Sequence, residues 1–149
     1  MGLLHQTRDE LARHLDELGV NPANYHLFGA HVDDAFVLDR RPHGWVVFYS
    51  ERGGEDILGI HSTGSAACAD LFAHVTADEH VFFTLVAGPA PSARADAEFD
   101  RWLRDRGTTR DELVPRDWKT DDVPWVPGSR WRRYFVRTLT VRELQHRLT

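Results

Sequence analysis

Residues 45–50 constrain this chain more than any other stretch. Trp45, Val46, Val47, Phe48 and Tyr49 stand in a row before Ser50, and all five are aromatic or β-branched. Such side chains crowd the backbone near Cβ and favour an extended chain. The run is apolar on both alternating sets, so it predicts a strand buried on both faces, in the middle of a sheet. Gly44 precedes it and Gly53-Gly54 follows it, and both positions read as turns. Shorter strand candidates flank it at residues 35–38 and 57–60. Three such segments predict an antiparallel meander.

Helical signals surround the meander. Thr7 and Glu10 have the spacing of a capping box. Leu11, Leu15 and Leu18 follow at helical spacing, with Gly19 as a stop and Asn21-Pro22 as a break. Ser62 or Thr63 can cap a second helix with Cys68, Leu71, Phe72 and Val75 on one face. Residues 81–86 read as a strand ended by Gly88-Pro89-Ala90-Pro91. Ser92 is the expected cap of a third helix, with Ala95, Phe99, Trp102 and Leu103 inward and Gly107 as its stop. Thr109 and Glu112 repeat the capping box over one or two turns. Residues 115–129, with three prolines and with Trp118 and Trp125, fit no period and read as a long loop pinned by tryptophans. Residues 131–139 alternate like a strand. Thr140 and Glu143 predict a cap for a final helix carrying Val141, Leu144 and Leu148. The expected fold is α+β: one domain over residues 1–149, with a mainly antiparallel sheet and three to four helices packed on it.

Length and composition narrow the function classes. A chain of 149 residues can bury a core without disulfides or metal. Cys68 is the only cysteine, which removes an intramolecular disulfide and any multi-cysteine zinc site. The apolar runs are too short to span a bilayer, so no membrane partner is expected. The first residues show no basic segment followed by an apolar stretch, and a cytoplasmic location is expected. Arginine outnumbers lysine 17 to 1, a bias read as that of a GC-rich bacterial genome. The net charge of −5 is unevenly spread: residues 1–100 carry 6 basic and 16 acidic side chains, and residues 101–149 carry 12 and 7. An acidic body with a basic tail argues against nucleic-acid binding by the whole surface and suits a protein partner with a basic face.

No phosphate-binding loop, dinucleotide fingerprint, zincin helix or nucleophile elbow occurs. His26 and His31 stand near Asp33 and Asp34, but the spacing is loose, so no metal is assigned. His61 could pair with Glu51 or Asp56, without a recognisable nucleophile. Cys68 lies on an apolar helix face and reads as a buried thiol. Ser50, Glu51 and Arg52 leave the main strand together. They can be read as nucleophile and acid–base groups, or as a turn fixed by an arginine–carboxylate pair, and the second reading is preferred. No catalytic residue and no cofactor is assigned. Arg130, Arg132, Arg133 and Arg137 surround Trp131 and Tyr134. This could be a nucleic-acid groove, but an alternating strand with internally paired arginines is the favoured reading. Asp33, Asp34, Asp39, Glu51, Glu55 and Asp56 fall at strand ends, which would gather them along the rims of the meander.

Some of these residues also carry a resemblance. Asn21-Pro22-Ala23-Asn24-Tyr25-His26-Leu27-Phe28-Gly29, the strand Gly44-Trp45-Val46-Val47-Phe48-Tyr49-Ser50-Glu51-Arg52-Gly53 and the helix with Ala66-Ala67-Cys68 resemble a family of small bacterial immunity proteins of polymorphic-toxin systems. The resemblance covers roughly residues 20–75. Ala66 stands where the family pattern has an acidic residue. The resemblance implies a protein that binds the catalytic domain of a cognate toxin, one-to-one, and blocks it without chemistry of its own. Many such toxins act on phosphate-bearing substrates, NAD or nucleic acid, in basic clefts that an acidic face can fill. The expected toxin-binding residues are Asp33, Asp34, Glu51, Glu55 and Asp56, with Trp118 or Trp125 as an aromatic anchor. Trp45, Tyr49 and Arg52 are assigned to the fold first. Two rivals stand beside this: a ligand or nucleic-acid adaptor using residues 130–137, and a small hydrolase using Ser50-Glu51-Arg52 or His31 with Asp33.

Overall fold

The computed structural model describes residues 7–126 and 129–148. The chain forms two compact units, Met1–Val81 and Phe82–Thr149. The class is α+β; among the described residues there are four α-helices and mainly antiparallel pairing, but the strands form two sheets rather than one.

The first unit begins with α1 (Arg8–Glu17), capped by Thr7, whose Oγ1 accepts from the Glu10 amide at 3.0 Å. Leu11 and Leu15 are fully buried, whereas Leu18, at the C-cap, is 38% exposed and lies outside the core. A short turn leads to β1 (Tyr25–His26), then β2 (Ala35–Arg41), β3 (Gly44–Glu51) and β4 (Gly54–His61). Their order in the sheet is β1-β2-β3-β4. The apolar run of residues 45–49 is thus on an inner strand: Val46, Val47 and Phe48 are at most 1% exposed. Arg52 and Gly53 form the two-residue connection of β3 to β4, both at positive φ (53° and 76°). That combination marks a type I′ turn, whose twist matches that of the strands. One extra residue on β4, Leu58, makes a bulge, because Val47 pairs with Gly59 while Phe48 pairs with Ile57. Helix α2 (Gly64–Ala77), capped by Thr63, packs on β2, β3 and β4 and buries Ala67, Cys68, Leu71 and Val75. Phe72 is half-buried and stacks on His14 with centroids 4.9 Å apart.

The second unit holds β5 (Phe83–Pro91), α3 (Ser92–Asp105), β6 (Trp118–Val126), β7 (Ser129–Arg137) and α4 (Thr138–Arg147). The sheet order is β5-β7-β6, all antiparallel. Its core joins Ala95, Phe99 and Leu103 of α3 to Tyr134 and Val136 of β7 and Leu144 of α4.

Four expectations change here. Most of the loop expected at residues 115–129 is strand β6, paired with β7 from Trp118↔Val136 onward. Cross-strand pairing, not local apolar period, makes it a strand: Asp121 lies opposite Arg133 and binds it at 2.8 Å. The Gly88-to-Pro91 segment does not end β5, which runs through it with register shifts. Ser92 does not cap α3, whose N-cap is Pro91 with no side-chain bond. Thr140 does not cap α4, whose first residue is Thr138 and whose N-cap is Arg137 with no side-chain bond; the buried Thr138 hydroxyl is bonded to that of Thr84 at 2.8 Å.

Candidate functional site

The turn ends of β2, β3 and β4 meet at one rim of the first sheet. Pairing sets this: Ala35 faces Ser50, Ser50 faces Glu55, and Tyr49 faces Asp56. The Asp34 amide donates to the Ser50 carbonyl at 2.7 Å, and the Gly53 amide donates to Asp33 Oδ1 at 3.2 Å. The rim therefore brings together all five acidic residues expected at a binding face: Asp33, Asp34, Glu51, Glu55 and Asp56.

Their states differ. Asp33 ties down the β3–β4 turn. The carboxylate that fixes this turn is thus Asp33, acting on a backbone amide, and not a partner of Arg52. Glu55 is neutralised. Arg41 Nη1 donates to its Oε1 at 2.8 Å, Nη2 reaches Oε2, and His31 stands 3.2 Å away. The same guanidinium donates from Nε to Asp39 at 3.0 Å and lies over the Phe48 ring at 5.0 Å. Hydrogen bonds donated by Arg41 hold the Glu55 carboxyl below the usual glutamate value, and the same bonds to Glu55, then the bond to Asp39, raise the Arg41 guanidinium. Asp34, Glu51 and Asp56 are exposed. Among the described residues no ion pair engages them.

These three carboxylates flank an aromatic pair. Tyr49 and Phe36 pack edge to face with centroids 5.0 Å apart. Burial raises the Tyr49 hydroxyl above its ordinary value, and the charges of Asp34, Glu51 and Asp78 raise it further. Asp78, at the C-cap of α2, was invisible to the sequence reading because it is remote in the chain from the rim. The missed role of Arg41 had a readable signal: Asp39 and Arg41 share a strand face at i, i+2.

The other candidate groups fall apart or pair internally. Ser50 is fully buried and its Oγ has no hydrogen-bond partner among the described residues. Glu51 and Arg52 are on the surface, so the three do not assemble. His61 pairs with neither Glu51 nor Asp56 but with Asp70 of α2, at 2.7 Å, and His74 stands 3.2 Å from the other oxygen of that carboxylate. Gly59 permits this, since a Cβ there would run into the Asp70 carboxylate. Burial raises the Cys68 thiol above its ordinary value. Among the described residues, no group of three or more His, Cys, Asp or Glu is placed to hold a metal ion.

In the second unit three of the four tail arginines, Arg132, Arg133 and Arg137, are paired, and Arg130 is exposed. Arg132 binds Asp122 and Asp96 (2.6 and 2.8 Å), Arg133 binds Asp121, and Arg137 lies 3.4 Å from Asp117. Tyr134 donates to Asp96 Oδ1 at 2.6 Å and accepts from Arg110 at 3.0 Å. The Tyr134 bond first, and then Arg132, lowers the Asp96 carboxyl. This is the internally paired strand expected for these residues. Trp118 packs on Phe99 and Tyr134, 5.5 and 6.1 Å between centroids, and borders an open depression of about 580 Å³ lined also by Arg110, Pro115 and Lys119. The side chain of Trp125 lies outside the described ones. Both tryptophans belong to the second unit, and the five acidic residues to the first. No described helix is long and apolar enough to cross a membrane. No family model, curated protein or solved structure matches the chain.

Proposed function

We propose that this chain is an immunity protein that binds the catalytic domain of a bacterial toxin through the acidic rim of its first unit. The observation that carries the reading is the open charge at that rim. Asp34, Glu51 and Asp56 are exposed and free of internal cations among the described residues, and they flank the Tyr49–Phe36 pair. The first unit holds 5 basic and 13 acidic side chains, a net charge of −8. Such a surface speeds encounter with a basic cleft and discriminates against acidic partners. A toxin cleft that binds NAD or nucleic acid offers that complement. Glu55 and Asp33, which already have partners, serve to shape the rim.

The test is co-expression with the toxin domain encoded beside this chain, followed by titration of the purified pair. We expect a one-to-one complex whose formation is slowed at least tenfold by Asp34→Lys with Asp56→Lys, and much less by Glu55→Gln. A complex indifferent to the double reversal would move the interface elsewhere. Absence of any complex would remove the immunity reading.

A further inference from the structure

We infer that β4 is an open strand edge that receives an extended, basic segment of a partner protein, adding a strand to the first sheet. The identity of the partner, a toxin domain, rests on the immunity reading above; the edge itself does not.

The four sheet edges are not alike. Edge strands expose unpaired amides and carbonyls, and folded proteins blunt them with short length, proline or charge. Strand β1 has two residues. Strand β5 contains Pro89 and Pro91, and β6 contains Pro124. Strand β4 runs for eight residues without a proline, interrupted by the one bulge at Leu58, and among the described residues it pairs only with β3.

The side chains beside this edge match one kind of occupant. Ile57 and Ile60 are 47% and 56% exposed. The bulge at Leu58 puts them on one face although they are three apart, since they sit opposite Phe48 and Val46. Glu55 is already held by Arg41, and the open carboxylates of Asp56 and, across the turn, Glu51 make the turn end of the edge acidic. A second copy of this unit, itself of net charge −8, would meet like charge along that end. An extended segment alternating basic and apolar side chains meets complementary charge at the turn and apolar surface farther along. Main-chain bonds then give affinity and the alternate side chains give specificity.

The test uses isotope-labelled full chain and a synthetic peptide of alternating Lys and Val that matches the eight residues of β4. We expect saturable amide shifts concentrated in residues 54–61. A Glu–Val peptide of the same length, and the variant Ile57→Lys with Ile60→Lys, should each weaken binding at least tenfold. Both isoleucines are largely exposed, so the variant keeps the fold; should it fail to, Ile57→Thr with Ile60→Thr replaces it. Shifts outside residues 54–61, or an equal response to the Glu–Val peptide, would overturn the inference. In the toxin complex, amides of residues 54–61 should gain exchange protection. A complex without that protection overturns strand addition and leaves the immunity reading standing. Peptide binding at β4 with no toxin complex does the reverse.

Discussion

Replacing Arg41 by Met tests how the acidic rim is held. Met keeps most of the aliphatic length over Phe48 and removes the guanidinium. Three hydrogen bonds donated by Arg41 disappear, two to Glu55 and one to Asp39. The Arg41 and Glu55 side chains are 25% and 22% exposed, so the pair is neither open nor dry. Exposed pairs contribute up to about 1 kcal/mol, and hydrogen bonds to charged groups about 1.5–3 kcal/mol. Glu55 retains His31 at 3.2 Å and is not left alone. We therefore expect a loss of about 2 kcal/mol in urea unfolding at neutral pH, and a coupling to Glu55→Gln of about 1 kcal/mol in a double-mutant cycle. Acid should remove the difference. Arg41 lowers the Glu55 carboxyl in the folded state. A carboxyl lowered by folding contributes its stability above the unfolded value and loses it as pH falls through the folded value. The gap between wild type and Arg41→Met is thus full at neutral pH and closes below the ordinary glutamate range. Toxin association should meanwhile quicken, because the variant adds net negative charge to the rim. A gap that persists unchanged in acid, or a coupling near zero, would refute the assignment of Arg41 as the neutraliser of Glu55.

Tyr134→Phe keeps the stack on Phe99 but deletes the hydroxyl bound to Asp96 and Arg110, and should cost about 2 kcal/mol by chemical unfolding, since Arg132 still holds the carboxylate. Because the Tyr134 bond lowers Asp96, that cost should also shrink as pH falls through the folded Asp96 value. Gly59→Ala drives a methyl into the Asp70 carboxylate. It should displace the His61–Asp70 pair, visible as a changed His61 ring signal in NMR, and destabilise by about 1–3 kcal/mol.

Much of the first unit was legible in the sequence. The five-residue apolar run, the cap at Thr7, the cap at Ser62 or Thr63 and the glycine turn after the main strand act locally, so neighbours in the chain suffice to read them; the turn itself sits one residue earlier than Gly53-Gly54, at Arg52-Gly53. Strand β6 was not legible, because its partners lie from three to eighteen residues away across a hairpin and its outward residues are charged. The second sheet was missed for the same reason: strand candidates can be read one by one, but which of them pair is a long-range matter. The sequence spread the acidic residues, Asp39 among them, over the two rims of the meander, and it did not separate the engaged from the open ones. That distinction depends on Arg41 reaching Glu55 fourteen residues on. Asp78 joins the field at Tyr49 only through the packing of α2 on the sheet.

The pairing of arginines in the second unit, set against the open acids of the first, makes ionic strength a probe of each half separately. Added salt screens repulsion among like charges as well as attraction in exposed ion pairs. In Met1–Val81 the larger effect is relief of self-repulsion, so moderate salt should slow local opening there. In Phe82–Thr149, where Asp121, Asp122 and Asp117 are neutralised by arginines, the same salt should loosen the hairpin. Residue-resolved hydrogen exchange at low and high salt would show the two halves shifting in opposite directions, a behaviour hidden by the isoelectric point near 6.0 of the whole chain.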